Sequence, residues 1–152
     1  MKQITINVVK SAVYNEVAKT TSYAGAKKVG DEGAYDRIFT TDEDQEMLER
    51  FWKEAASGAT DTLKKWISEN EEGDEYRLLL HVADGYDIGL TSSIETSLFS
   101  YFVNFIIGKW YLIVNAQESE RYVTDAAGAM DDVMSKIFHR KKPKRENVKC
   151  RI

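Results

Sequence analysis

The chain has 152 residues, 43% of them hydrophobic and 30% charged. This composition excludes a disordered or fibrous protein. The chain is long enough for one domain with a buried core. The lone Cys150 excludes an intrachain disulfide, and the single proline, Pro143, leaves all preceding residues free to form long helices.

The net charge of −4 is unevenly distributed along the chain, because residues 139–152 contain seven Lys or Arg and only one Glu. We expect residues 1–138 to form one helical domain and residues 139–152 to form a basic tail. We expect this tail to have an acidic partner, either another molecule or the acidic body of a neighbouring copy.

The first part of the chain predicts two helices separated by a loop. A helical spacing of apolar residues predicts a helix over residues 5–21, and a stretch with three glycines predicts a loop over 22–39. Thr40 and Glu43 have the spacing of a capping box and predict the start of a second helix. Its apolar stripe consists of Leu48, Phe51, Trp52, Ala55, Ala59, Leu63, Trp66 and Ile67.

A strand is predicted from Tyr76 to Val82 and is ended by a turn at Asp84 and Gly85. One strand cannot satisfy its own backbone groups, so it needs a partner. Three partners are possible: the N-terminal "KQITI", a short returning strand at residues 86–90, or a strand of another chain.

The segment "SLFSYFVNFIIGKWYLIVN", residues 97–115, is the most hydrophobic part of the chain. A membrane span needs about 20 apolar residues, whereas this run is shorter and contains Ser100, Asn104 and Lys109. It therefore predicts the central helix of a bundle, preceded by a capping box at Ser92 and Glu95. A last helix is predicted over 117–139, and the expected fold is mostly α: about four helices with a short β-strand or hairpin and a basic C-terminal tail.

The small and polar residues of the central helix, Ser97, Ser100, Asn104 and Gly108, are spaced to lie along one face. Such a stripe permits close packing of another helix. Its polar residues either face solvent or bond within the same subunit, or the stripe meets a second copy, and the sequence does not separate these alternatives.

Candidate chemistry is sparse, and we expect a protein that is not an enzyme and holds no metal or cofactor. Neither His81 nor His139 has a partner at metal-ligand spacing, and Ser97 and Ser100 lack the context of a nucleophile. The basic tail is the strongest local feature, and it predicts an electrostatic contact with protein or with DNA. Its cations are Arg140, Lys141, Lys142, Lys144, Arg145, Lys149 and Arg151.

The order of the elements resembles the head–tail connector, or adaptor, proteins of tailed bacteriophages and prophages. The resemblance covers about residues 5–143. It depends on the helix "TDEDQEMLERFWKEAASGATDTL", the following strand, the helix entered by "LTSSIETSLFSYFVNFIIGKWY" and the basic "FHRKKP" segment. In the central helix, Ile94, Ser97, Phe105 and the run Lys109-Trp110-Tyr111 hold places comparable to those of the family.

The resemblance implies a structural virion protein at the head–tail junction that is made in the host cytoplasm. Its copies would form a ring, about twelve in that family, between the portal protein and another neck or tail protein, around the DNA channel and away from any membrane. An unpaired strand could complete a sheet across subunits through Tyr76, Leu78, Leu80 and Val82. The alternative is a small helical nucleic-acid-associated protein that uses the basic tail.

Overall fold

The computed structural model describes residues 2–26 and 44–143 of the chain. These residues are mostly helical, with a small antiparallel sheet, which confirms the predicted fold class. The elements are β1 (Lys2–Val9), α1 (Lys10–Ala26), α2 (Gln45–Leu63), β2 (Ile67–Glu72), β3 (Glu75–Val82), a 3₁₀ turn (Ile88–Leu90), α3 (Thr91–Val114) and α4 (Ala116–Phe138).

The N-terminal segment is a strand where the helical spacing predicted the beginning of a helix, so the prediction of a helix over 5–21 is wrong for residues 5–9. Ile4, Ile6 and Val8 point into the core, and the residues between them are exposed, which is the period of two of a half-buried strand. The helix begins only at Lys10, and its Val13 and Val17 are fully buried as the spacing indicates.

The sheet has the order β1-β3-β2, so β3 is its middle strand. β1 pairs antiparallel with β3 from Lys2 opposite Val82 to Val9 opposite Glu75. The first of the three predicted partners, "KQITI", is therefore the right one. The prediction of a returning strand at 86–90 is wrong, because this segment contains only an isolated bridge from Tyr86 and the 3₁₀ turn.

The second helix ends earlier than its apolar stripe predicted, because Trp66 lies in a turn and Ile67 begins β2. α2 ends at Leu63, and Ile67 already pairs with Leu80 of β3. The polar stretch "NEEGDE" predicts a turn over residues 70–75, but residues 70–72 belong to β2, Glu75 begins β3, and only Gly73 and Asp74 form the turn.

Two other predictions concern chain segments at the boundaries of the described residues. The loop predicted at 22–39 is helical over 22–26, and its remainder lies outside the described residues. The capping box of Thr40 and Glu43 also lies outside them. The second predicted capping box is not formed: the Glu95 carboxylate accepts a hydrogen bond from the N–H of Asn7, at 3.0 Å.

Helix α3 is the central helix, in contact with α1, α2, α4 and β1. It is long and apolar enough to cross a membrane by length and composition, with a mean hydropathy of 1.4 over the best window of Ile88–Val114. However, 56% of that window is buried against the rest of the chain, as in the core helix of a bundle.

An aromatic cluster connects α3 to its neighbours. The ring of Phe102 lies 4.6 Å from that of Trp52 on α2 and 5.1 Å from that of Tyr76 on β3, and Tyr14 of α1 meets Trp52 edge-on at 6.5 Å. Phe102, Trp52 and Tyr76 are fully buried. The hydroxyl of Tyr76 is not left without a partner, because it shares a 2.6 Å hydrogen bond with Thr60.

Gly58 allows the close approach of α2 and α3. A Cβ atom at this position would lie 2.8 Å from the hydroxyl oxygen of Tyr101. That hydroxyl is buried and donates a hydrogen bond to the carbonyl of Ala55 at 2.9 Å. The missing side chain therefore makes room for a contact between the two helices.

We expect Gly58→Ala to lower the free energy of unfolding by about 1–2 kcal/mol, because the displaced Tyr101 hydroxyl loses its buried hydrogen bond. Helix propensity by itself predicts that replacing Gly with Ala stabilises the helix by about 1 kcal/mol. We expect the opposite, a destabilised protein. Gly128→Ala is the matched control on α4, where an added Cβ meets nothing within 4 Å. Urea unfolding of both variants measures the difference, and equal stabilisation would contradict the prediction.

Candidate functional site

The strand residues predicted as a subunit interface lie inside the domain. Tyr76, Leu78 and Leu80 are fully buried, Val82 is 2% exposed, and β3 is hydrogen-bonded to a strand on each side. The prediction that β3 pairs with another copy is therefore wrong, because this strand has no free edge. The signal that was missed is the alternating pattern of β1, which provides one of its partners.

Two members of the small-residue stripe are used within the subunit. Ser97 is 9% exposed and hydrogen-bonds to α4. Gly108 faces α4 so closely that a Cβ would lie 3.2 Å from the side chain of Val123, and its carbonyl accepts from the hydroxyl of Ser119 at 3.0 Å. For Ser97 and Gly108, the structure supports the first of the two alternatives, bonds within the same chain.

The other two members, Ser100 and Asn104, are half-buried and line a shallow groove above α3. The walls of the groove include Glu16 of α1 and Tyr122 of α4. Nothing in the described residues shows what covers this groove, so the contact of Ser100 and Asn104 with a second copy remains a prediction.

Ser97 belongs to a polar triad that joins α3 to α4. Its hydroxyl donates to the carboxylate of Asp132 at 2.6 Å and accepts from the ammonium of Lys136 at 2.8 Å, and that ammonium lies 2.6 Å from the same carboxylate. The bonds from Lys136 and Ser97 hold the pKa of Asp132 below its usual range. The triad therefore bridges α3 and α4, with Lys136 in contact with both the Ser97 hydroxyl and the Asp132 carboxylate.

A second polar group holds α1 against α2. The ammonium of Lys10 lies 2.6 Å from the carboxylate of Glu49 and 5.7 Å from the centre of the Trp52 ring. Tyr14 donates to the other oxygen of Glu49 at 2.9 Å. The bond from Lys10 lowers the pKa of Glu49, whereas burial and the neighbouring carboxylate raise the pKa of Tyr14. These groups hold each other in place, so their role is structural.

Strand β2 forms one outer edge of the sheet, and β1 forms the other. Ile67 is half-buried and the other five residues of the strand are exposed, including the carboxylates of Glu69, Glu71 and Glu72. Among the described strands, β2 pairs only with β3. The sequence did not predict this strand, because it lacks an alternating pattern.

The hydrogen-bond pattern identifies which backbone groups face outward from β2. The N–H of His81 donates to the carbonyl of Trp66 at 2.7 Å, so the odd-numbered residues of β3 bond towards β2. Glu71 lies opposite Arg77 and uses its N–H inside the sheet. The N–H of Asn70, the neighbouring residue, therefore points away from the sheet.

The beginning of the basic tail lies against the body of the protein. Arg140 forms a bridge with Tyr86, and the N–H of Lys141 donates to the carbonyl of Gly85 at 2.9 Å. Residues 139–143 are exposed. The four other predicted cations, Lys144, Arg145, Lys149 and Arg151, lie outside the described residues.

The end of α4, directly before the tail, meets a second basic segment that the sequence analysis missed. The rings of Trp66 and Phe138 are 5.0 Å apart and perpendicular, which places the exposed Lys64 and Lys65 beside the beginning of the tail. Phe138 itself is 53% exposed. We name this surface the basic–aromatic patch, and it consists of Lys64, Lys65, Trp66, Phe138, Arg140, Lys141 and Lys142.

Neither histidine lies in a metal-binding group. His81 shares a 2.7 Å hydrogen bond with the hydroxyl of Ser68, and His139 is exposed. Within residues 2–26 and 44–143, no group of three His, Cys, Asp or Glu residues is arranged to hold a metal ion. Comparison of the chain with protein-family models, curated proteins and solved structures finds no match.

The Ser97–Asp132–Lys136 triad predicts a stability contribution that depends on pH. Because the pKa of Asp132 is lowered in the folded state, the contribution is present above the ordinary carboxyl pKa of about 4 and is lost as the pH falls through the lower folded value. Since Asp132 is half-exposed, we expect Asp132→Asn to cost only about 0.5 kcal/mol at pH 7 and nothing near pH 2. Denaturant unfolding at several pH values measures this, with Asp131→Asn as the control. A cost that does not change with pH would contradict the prediction.

Proposed function

We propose that the protein is a ring-forming head–tail connector subunit of a tailed phage or prophage, joining the portal to the next neck or tail protein around the DNA channel. The resemblance of the order of elements suggests this function. The observation that supports it best is the free acidic edge of β2, because an exposed strand edge is a template for pairing with another chain.

The negative charges of the β2 edge disfavour a symmetric contact between two β2 strands. If β2 paired with β2 of a second copy, Glu69, Glu71 and Glu72 would face like charges, which is unfavourable across strands. A different surface of the neighbour is then the better partner. Contacts between two different surfaces are head-to-tail, and they close into rings when the rotation between copies allows it.

The interior of the domain is also compatible with assembly by docking of preformed subunits. β3 has a strand on each side, and Phe102, Trp52 and Tyr76 of the aromatic cluster are fully buried. A subunit of this kind keeps its core on joining a ring and changes mainly at its edge. In a monomer, the same acidic side chains would instead protect the β2 edge from aggregation. The mass of the protein in solution distinguishes an edge used for assembly from one that is only protected.

We expect a closed oligomer in solution or on addition of the portal protein of the same phage, and we expect Asn70→Pro to prevent its formation. Proline removes the outward N–H of Asn70 and leaves the bonds between β2 and β3 intact, as edge strands permit. Asn70→Ala is the control that keeps the N–H and should assemble normally. Light scattering after size exclusion measures the mass, and electron microscopy shows whether the particles are rings.

Two outcomes would contradict these expectations at different levels. A monomer at every concentration, with and without the portal protein, would reject the connector function. Assembly of Asn70→Pro into the same particles as the wild type would leave the function standing and would reject β2 as the contact. Circular dichroism and thermal unfolding establish that the proline variant is folded.

A further inference from the structure

We propose that the basic–aromatic patch binds the sugar–phosphate backbone of nucleic acid without sequence specificity. Its five cations come from two segments far apart in the sequence, the end of α2 and the beginning of the tail. This inference does not depend on ring formation, because it concerns a surface of the single subunit.

The cations of the patch are not neutralised by the described part of the protein. The ion pairs between described residues join Lys10 to Glu49, Arg50 and Lys109 to Glu54, and Lys136 to Asp132, and none involves the patch. A concentration of unpaired positive charge on a protein of net charge −4 favours a polyanionic ligand, which gains affinity by releasing its counterions.

The backbone that carries these cations is held in place. Arg140 is fixed through its bridge to Tyr86, and its guanidinium donates to the carbonyl of Phe138 at 2.8 Å. On the other segment, the carbonyl of Trp66 is bonded to β3, directly after Lys64 and Lys65. Because the backbone is already ordered, binding costs mainly the freedom of the side chains.

The exposed aromatic ring favours nucleic acid over the acidic β2 edge of a second copy. Phe138 is 53% exposed beside the cations, and such a ring can contact a base or sugar while the cations contact phosphates. The β2 edge offers that ring no exposed apolar side chain, since only Ile67 is apolar and it is half-buried. The loop beside the patch carries Asp84 and Asp87, whose negative charges repel nucleic acid, so we expect only moderate affinity. Because the contacts with phosphates are electrostatic, we expect binding to weaken strongly with salt.

The test compares the full-length wild type with the double variant Lys64→Ala, Lys65→Ala. Binding to a mixed-sequence 30-base-pair DNA duplex, and to the single strand of the same length, is measured by fluorescence anisotropy over a range of salt concentrations. We expect the double variant to bind about tenfold more weakly, and the slope of log K against log salt to fall in magnitude by about 2 on the duplex. The control is Lys19→Ala, Lys53→Ala, which removes two exposed cations elsewhere and should bind as the wild type does.

Two outcomes would overturn the inference. Equal losses in the two double variants would show that net charge, not the patch, determines binding. Unchanged DNA binding with a smaller assembled mass would make the patch a contact between copies. Wild-type binding to DNA through the patch by a protein that never assembles would reject the connector function and leave this inference standing. All four substituted lysines are exposed, so thermal unfolding should be unchanged.

Discussion

The packing of Phe102 between Trp52 and Tyr76 is the contact on which the domain depends. These three rings belong to α3, α2 and β3, and all are removed from solvent. Burial of one large apolar side chain contributes about 1.5–3 kcal/mol, which is a substantial part of the stability of a small domain. The contact also fixes where β3 lies, and β3 in turn positions both of its neighbouring strands.

Much of the helical part could be predicted because its apolar residues recur at helical spacing over many turns. For α4 the predicted range of 117–139 differs from Ala116–Phe138 by one residue at each end. The sheet was harder to predict for two physical reasons. In β1, Val8 and Val9 continue into the valines of α1 and imitate a helical period, and β2 has no periodicity because nearly all of it is exposed.

The candidate surfaces could be predicted only in part. The basic tail could be predicted from the number of lysines and arginines in residues 139–152, which does not depend on the fold. The contribution of Lys64 and Lys65 could not be foreseen, because it depends on the contact of Trp66 with Phe138 across a long stretch of chain. Conversely, Ser97 was a candidate for a contact between copies, but Asp132 and Lys136 of the same chain satisfy it.

The acidic edge and the basic–aromatic patch adjoin each other in the chain, since β2 begins directly after Trp66. They are nevertheless distinct surfaces, one formed by a strand edge and one by two helix ends. A single subunit could therefore contact a neighbouring copy and nucleic acid at the same time. The carboxylates of β2 would then repel a nucleic acid bound at the basic–aromatic patch and keep it away from the strand edge.

The pairing of β1 with β3 has a consequence for the synthesis of the protein. β1 is synthesised well before its partner, because residues 10–74 lie between the two strands, which pair with Lys2 opposite Val82. Until residues 75–82 have left the ribosome, the apolar side of β1 has no strand to join. Such long-range pairing is slow, because the loop must close before the contact forms. The folding of the sheet is therefore delayed until β3 is available, whereas the hairpin of β2 and β3 can form locally.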